Sequence, residues 1–128
     1  MTSIKIDKMT VEQFGEALRR EAIAKQNDAF RKMILLDESV GRWVVTRAVY
    51  AEGPAFVAAC ILAVRKFEDF TEEMDPYGER SMGRLEIEGK TVWFKIDLYD
   101  VDYEGGSDDP SEVTKTRRVL TILFPSDY

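Results

Sequence analysis

A chain of 128 residues with 18 basic and 24 acidic side chains, a net charge of −6 and no histidine excludes several chemistries at once. Without histidine there is no Ser-His-Asp or Cys-His catalysis, no His-containing zinc site and no imidazole proton shuttle. A single cysteine excludes an internal disulfide, and a hydrophobic content of 45% fits one folded domain over 1–128 rather than a disordered chain.

Residues 1–9 alternate polar and apolar types, lack the apolar core of a signal peptide, and read as an extension or short strand. With one cysteine, this makes the cytoplasm the expected compartment. Thr10 is a good helix N-cap, and Gln13 completes a capping-box pattern. Beyond them Val11, Phe14, Leu18, Ala22, Ala29 and Phe30 recur at near-helical spacing. They predict an amphipathic helix over 11–31, with Arg19, Arg20 and Arg31 on a basic face that is solvated or paired with the acidic loops. Residues 33–36 and 42–50 are rich in Ile, Leu, Val, Trp and Tyr, are separated by Asp37-Glu38-Ser39, and read as one or two strands. Gly53-Pro54 opens a second helix, with proline where its missing N–H costs nothing. Over 55–64 this helix is apolar all round, which predicts an interior position with Cys60 as a small buried hydrophobe. The apolar run 54–64 is too short to cross a bilayer, so no membrane partner is expected.

Asp75-Pro76-Tyr77-Gly78 is a turn signal. Residues 83–88 alternate, Gly89-Lys90 turns, and 91–99 alternate again. Phe94, Ile96 and Leu98 fall on one face, and Trp93, Lys95, Asp97 and Tyr99 on the other. A polar loop over 100–111 leads to a last strand over 117–124. Hairpin-linked strands dominate the order α, β, β, α, β, β, β. The expected fold is α+β, an antiparallel sheet of four to five strands with two helices packed on one face.

Charge is spread unevenly. Residues 1–67 hold 11 basic and 8 acidic side chains, 68–112 hold 4 and 15, and 113–128 hold 3 and 1. Two stretches of the middle block contain no basic residue at all: Glu68, Asp69, Glu72, Glu73, Asp75 and Glu79, then Asp97, Asp100, Asp102, Glu104, Asp108, Asp109 and Glu112. Like charges at this density repel and weaken a fold. They read either as two solvated loops or as a surface for a cationic partner, such as a basic protein face. Direct nucleic-acid binding by this surface is not expected, because phosphate contact needs Lys and Arg.

The run Asp100-Val101-Asp102-Tyr103-Glu104-Gly105 starts like a calcium loop but places Ser111 where the bidentate Glu belongs, with Glu112 one residue late. Asp100, Asp102 and Glu104 are therefore candidate ligands for calcium or magnesium only as an alternative, and no other cofactor is implied. Lys95 and Asp97 share a strand face, and Arg117 or Arg118 joins them if the last strand pairs alongside. Such a cluster is either an anion site or a cross-strand ion pair. Trp93 and Tyr99 on the same face are candidate anchors of a homo-oligomer.

Six motifs together carry a family resemblance: Asn27-Asp28-Ala29-Phe30-Arg31, Phe67-Glu68-Asp69-Phe70-Thr71-Glu72, Asp75-Pro76-Tyr77-Gly78-Glu79, Trp93-Phe94-Lys95-Ile96-Asp97-Leu98-Tyr99-Asp100, Gly106-Ser107-Asp108-Asp109-Pro110 and Arg117-Arg118-Val119-Leu120-Thr121-Ile122. Over residues 27–128 the chain resembles domain of unknown function 3768, a family found mainly in alphaproteobacteria and often on mobile DNA. Arg80 stands where that family often has His, and the 33–40 segment is longer than usual. The resemblance implies a mobile-element setting and no activity. Residues and resemblance together give a non-enzymatic modulator whose acidic surface docks on a basic partner, for instance an inhibitor of a host nucleic-acid-handling defence complex. The alternative is a metal-dependent hydrolase or phosphodiesterase using Asp97, Asp100, Asp102 and Lys95.

Overall fold

The computed structural model describes residues 10–33 and 37–128. Helix α1 (Val11–Lys32) begins at the predicted box: the Gln13 N–H donates to the Thr10 hydroxyl at 3.1 Å, and the Thr10 N–H donates to Gln13 Oε1 at 3.0 Å. Two donors that the first turn would leave unpaired are thereby satisfied. The side that meets the core is Ile23, Ala24, Asn27, Phe30 and Arg31. Val11 is 90% exposed and Leu18 47%, and Ala29 faces solvent too, so three of the apolar residues that predict the helix lie off its covered side. Apolar spacing makes the helix, while tertiary packing selects which of its residues are covered.

Strand β1 (Gly41–Val45) ends sooner than its composition suggests. The Thr46 hydroxyl accepts from the Val49 N–H at 3.4 Å and caps a one-turn helix, α2 (Arg47–Tyr50), in place of continued strand. Pro54 then occupies the first turn of α3 (Pro54–Lys66). That helix is not interior on all sides. Only Phe56, Cys60 and Val64 are buried, on one i, i+4 stripe, and Leu62 is 57% exposed. In a two-layer fold a helix has one sheet to lie on, and its far side faces water whatever its composition.

The remaining strands are β2 (Met82–Ile87), β3 (Lys90–Tyr99) and β4 (Arg117–Leu123), and the sheet order is β1-β4-β3-β2. The fold is α+β, as expected, with two corrections. Among the described residues there are three α-helices rather than two, and the four-stranded sheet is mixed rather than antiparallel. β1 runs parallel to β4, with Gly41 opposite Arg118 and Val45 opposite Ile122. Helices α2 and α3 carry the chain from one sheet edge to the other, and β4 returns into the gap running in the direction of β1. Parallel neighbours need a long crossover of this kind, which hairpin counting misses. The strand expected over 33–36 and the extension over 1–9 lie outside the described residues, apart from Met33 at the end of α1.

One sheet face, built from Val92, Phe94, Ile96, Leu120 and Ile122, packs against Phe30, Val49, Phe56, Cys60, Val64 and Phe67. Gly83 sits opposite Phe94, and a Cβ there would lie 2.4 Å from the Phe94 ring and 2.6 Å from Phe67. Its absence admits the edge-to-face pair Phe67–Phe94, with centroids 5.3 Å apart. The other face carries Trp93, Lys95, Asp97 and Tyr99. There Trp93 meets Tyr128, next to the 3₁₀ turn Pro125–Asp127, at 5.7 Å.

The β2–β3 hairpin turns on Glu88-Gly89, one residue earlier than expected, with φ of 51° and 81°. Two positive φ values in a two-residue loop make a turn that favours Asn-Gly. Glu88→Asn is expected to raise the unfolding free energy by about 0.5–1 kcal/mol, read from denaturant melts, because asparagine tolerates the left-handed region better than glutamate.

Candidate functional site

β2, β1 and β4 start, and β3 stops, at one end of the sheet, so the segments 37–40, 67–81 and 100–116 gather there. The second half of α1 ties them together. Asn27 is fully buried; its Nδ2 donates to the Glu79 carbonyl at 2.9 Å and its Oδ1 accepts from Arg118 Nε at 2.8 Å. Gln26 Oε1 accepts from a second Arg118 nitrogen at 2.9 Å, and Gln26 Nε2 donates to the Ser111 carbonyl at 2.7 Å. Two adjacent amides therefore hold both loops and β4. Arg118 is 1% exposed and, among the described residues, has neutral amides and no carboxylate as side-chain partners. Burial pulls its guanidinium down to about 10.

Arg31, expected on a basic face that is solvated or paired with the acidic loops, is fully buried. Its guanidinium donates to the Val64 carbonyl at 2.8 Å and the Arg65 carbonyl at 3.3 Å, in the last turn of α3 that lacks helical donors. It also pairs with Asp28 at 2.8 Å and lies 5.3 Å from the Phe70 ring centroid. Asp28 accepts from Arg80 at 2.8 Å as well, Arg80 bonds Glu68, and Glu68 pairs with Lys32 at 3.2 Å. Burial by itself would raise the Asp28 carboxyl, but the bonds from Arg80 and Arg31 outweigh it and hold it below the usual carboxylate range. The Lys32 bond lowers Glu68 most; burial opposes it and Arg80 adds to it.

A carboxyl lowered in the folded state stabilises fully above its unfolded value, and the contribution is lost as pH falls through its folded value. Stability is thus expected to hold down to about pH 5 and then decline. Asp28→Asn should flatten that acid limb in a series of urea titrations. An unchanged acid slope would detach Asp28 from the stability of the fold.

The expected site residues sort into distinct roles. Asp75 is buried, and its carboxylate accepts from the Arg80 N–H at 2.9 Å and the Ser81 N–H at 3.4 Å, holding Arg80 at a φ of 55°. Asp100 folds its own loop, accepting from the N–H groups of Asp102 at 3.0 Å, Glu104 at 3.1 Å and Gly105 at 3.2 Å. Glu112 caps the 3₁₀ turn Val113–Lys115, and Asp109 Oδ1 accepts from the Ser111 hydroxyl at 3.4 Å. Glu68 belongs to the arginine network, and Asp97 pairs with Lys95 at 2.6 Å. Apart from the half-buried Glu79, six carboxylates are left: Asp69, Glu72, Glu73, Asp102, Glu104 and Asp108 are exposed and make no ion pair among the described residues.

Arg117 stands opposite Tyr99 on the face of Lys95, where its guanidinium donates to the Thr116 carbonyl at 3.1 Å. Arg118 does not join that cluster. Its register partner is Leu98, which turns it to the helix-covered face. Among the described residues, no three Asp, Glu or Cys side chains come together as a metal site, and the Asp100 carboxylate is occupied by backbone. Cys60 is fully buried, and burial followed by the Glu88 charge pushes its thiol up, away from the reactive thiolate.

Between the first half of α1 and the two loops runs a groove of about 410 Å³, lined by Glu16, Arg19, Arg20, Tyr77, Glu79 and Ser111 among others. Arg20 pairs with Glu16 at 2.5 Å and lies over the Tyr77 ring at 4.7 Å. Burial pushes the Glu79 carboxyl up; Arg20 opposes the shift and Asp75 adds to it. The sequence reading missed this groove and the roles of Gln26, Asn27, Tyr77 and Ser111. A signal for Asn27 was present, since it stands four residues after Ile23 and three before Phe30 on the buried side of α1.

A family model described as a protein of unknown function, DUF3768, matches residues 45–127, from the last residue of β1 through the C-terminal 3₁₀ turn. Searches of the curated proteins and of the solved structures return no match. No described helix is long and apolar enough to cross a membrane. The match covers well over half of the chain and takes in both acidic loops, the Asp75–Glu79 turn and Arg118; the chain belongs to the DUF3768 family.

Proposed function

We propose that this protein is a non-enzymatic docking module of the cytoplasm that presents acidic loops to a basic macromolecular surface. The observation that carries the reading is the convergence of two loops at one end of the sheet, with six exposed carboxylates outside any ion pair among the described residues. A basic partner relieves the mutual repulsion of those charges and gains complementarity without any new fold. A mobile-element-encoded inhibitor of a host nucleic-acid-handling defence complex is one concrete form, in which carboxylates occupy a channel built for phosphates. The hydrolase reading needs three converging carboxylates and has no observation in its favour.

The test is a salt series on the partner isolated from the native host, run with wild type and with the triple variant Asp69→Asn, Glu72→Gln, Glu73→Gln. Affinity is expected to fall steeply with ionic strength for wild type and less steeply for the triple variant, because exposed charges are screened. Equal affinities at low and high salt would remove the electrostatic reading. Sedimentation of the protein alone reads the separate matter of a homo-oligomer through the Trp93–Tyr99 face.

A further inference from the structure

We infer that the groove between α1 and the two acidic loops binds a small oxyanion, the phosphate or carboxylate group of a low-molecular-weight ligand, with Arg19 as its principal contact. The volume of about 410 Å³ falls within the range of small-molecule clefts, roughly 300–1,000 Å³. Of the two guanidinium groups in the lining, Arg20 is spent on Glu16 and on the Tyr77 ring. Arg19 makes no ion pair or hydrogen bond among the described residues. Its planar fork of donors matches an oxyanion, and bonds of that kind are the strong ones.

The carboxylates in the wall do not close the groove to an anion. Glu16 is already neutralised by Arg20 at 2.5 Å. Glu79 is half-buried and faces Arg20 from α1, whose charge offsets its own, and Asp75 from its own loop; burial pushes its carboxyl up. The Ser111 hydroxyl donates its one proton to Asp109 at 3.4 Å, a long bond that a bond to an anion in the groove would replace. Around this opening the exposed acidic loops repel long polyanions such as nucleic acid. A single small anion within the groove meets Arg19 at close range, where screening is weakest. The contacts to the anion use none of the six carboxylates of the docking surface, so either proposal survives the failure of the other.

The experiment is isothermal titration calorimetry of the full chain with phenyl phosphate and with benzoate as probes, on wild type, Arg19→Gln and Glu79→Gln. Saturable one-to-one binding of at least one probe is expected. Arg19→Gln should weaken it by about tenfold or more, and Glu79→Gln should strengthen it several-fold, since glutamine removes the carboxylate charge and puts an amide donor in its place. Stronger binding of phenyl phosphate assigns a phosphate ligand, and stronger binding of benzoate a carboxylate. Both variants lie at the rim of the fold and should keep the wild-type melting temperature. Absence of saturable heat with both probes in the millimolar range overturns the inference. So does an affinity unchanged in Arg19→Gln or lowered in Glu79→Gln.

Discussion

Arg31→Met is expected to lower the unfolding free energy by roughly 2–4 kcal/mol, because carbonyls left without a donor at a covered helix end cost about 1–3 kcal/mol each. Methionine fills much of the volume and keeps contact with Phe70, so the loss isolates the polar work of the guanidinium. It strips donors from the Val64 and Arg65 carbonyls at the end of α3 and removes one of the two arginines from Asp28. Arg31→Lys should fall between the two, because an ammonium carries the charge without the fork that reaches α3 and Asp28 together. Urea unfolding followed by tryptophan fluorescence gives both numbers. A loss below about 1 kcal/mol for methionine would mean that water caps α3 equally well.

Asn27→Leu is the second large effect, about 3 kcal/mol, because it leaves a buried cation and a carbonyl short of partners. Arg118 Nε loses its acceptor and the Glu79 carbonyl loses its donor, while leucine conserves the volume. The effect has a local signature. Residues 76–80 should exchange amide hydrogens faster, while the protection of β3 falls only with global stability. If the loop exchanges as in wild type, the Asn27–Glu79 bond does not anchor it.

Local physics was legible in the sequence. The Thr10–Gln13 box, Pro54 at a helix start and the alternation of Phe94 and Ile96 against Lys95 and Asp97 depend on near neighbours, and each is found where expected. What was not legible depends on distant partners. The burial of Arg31 follows from where α3 ends, and that of Arg118 from a register with Leu98 that no local pattern encodes. The acidic loops show the same divide. Their charge density can be counted along the chain, but the turns formed around Asp75, Asp100 and Glu112 decide which carboxylates serve their own backbone. Asp69 and Glu72 look no different in sequence and have no such duty.

The place of β4 sets an order of assembly. β1 is synthesised early, yet its hydrogen-bonded neighbour in the described sheet is the last strand of the chain. Only β2 and β3 pair across a short connection, so they are the natural first nucleus, and β1 waits through two helices and two long loops. Arg118, carried on that final strand, arrives together with the ladder it helps to lock, which makes closing the sheet and fastening the second half of α1 to it a single late event.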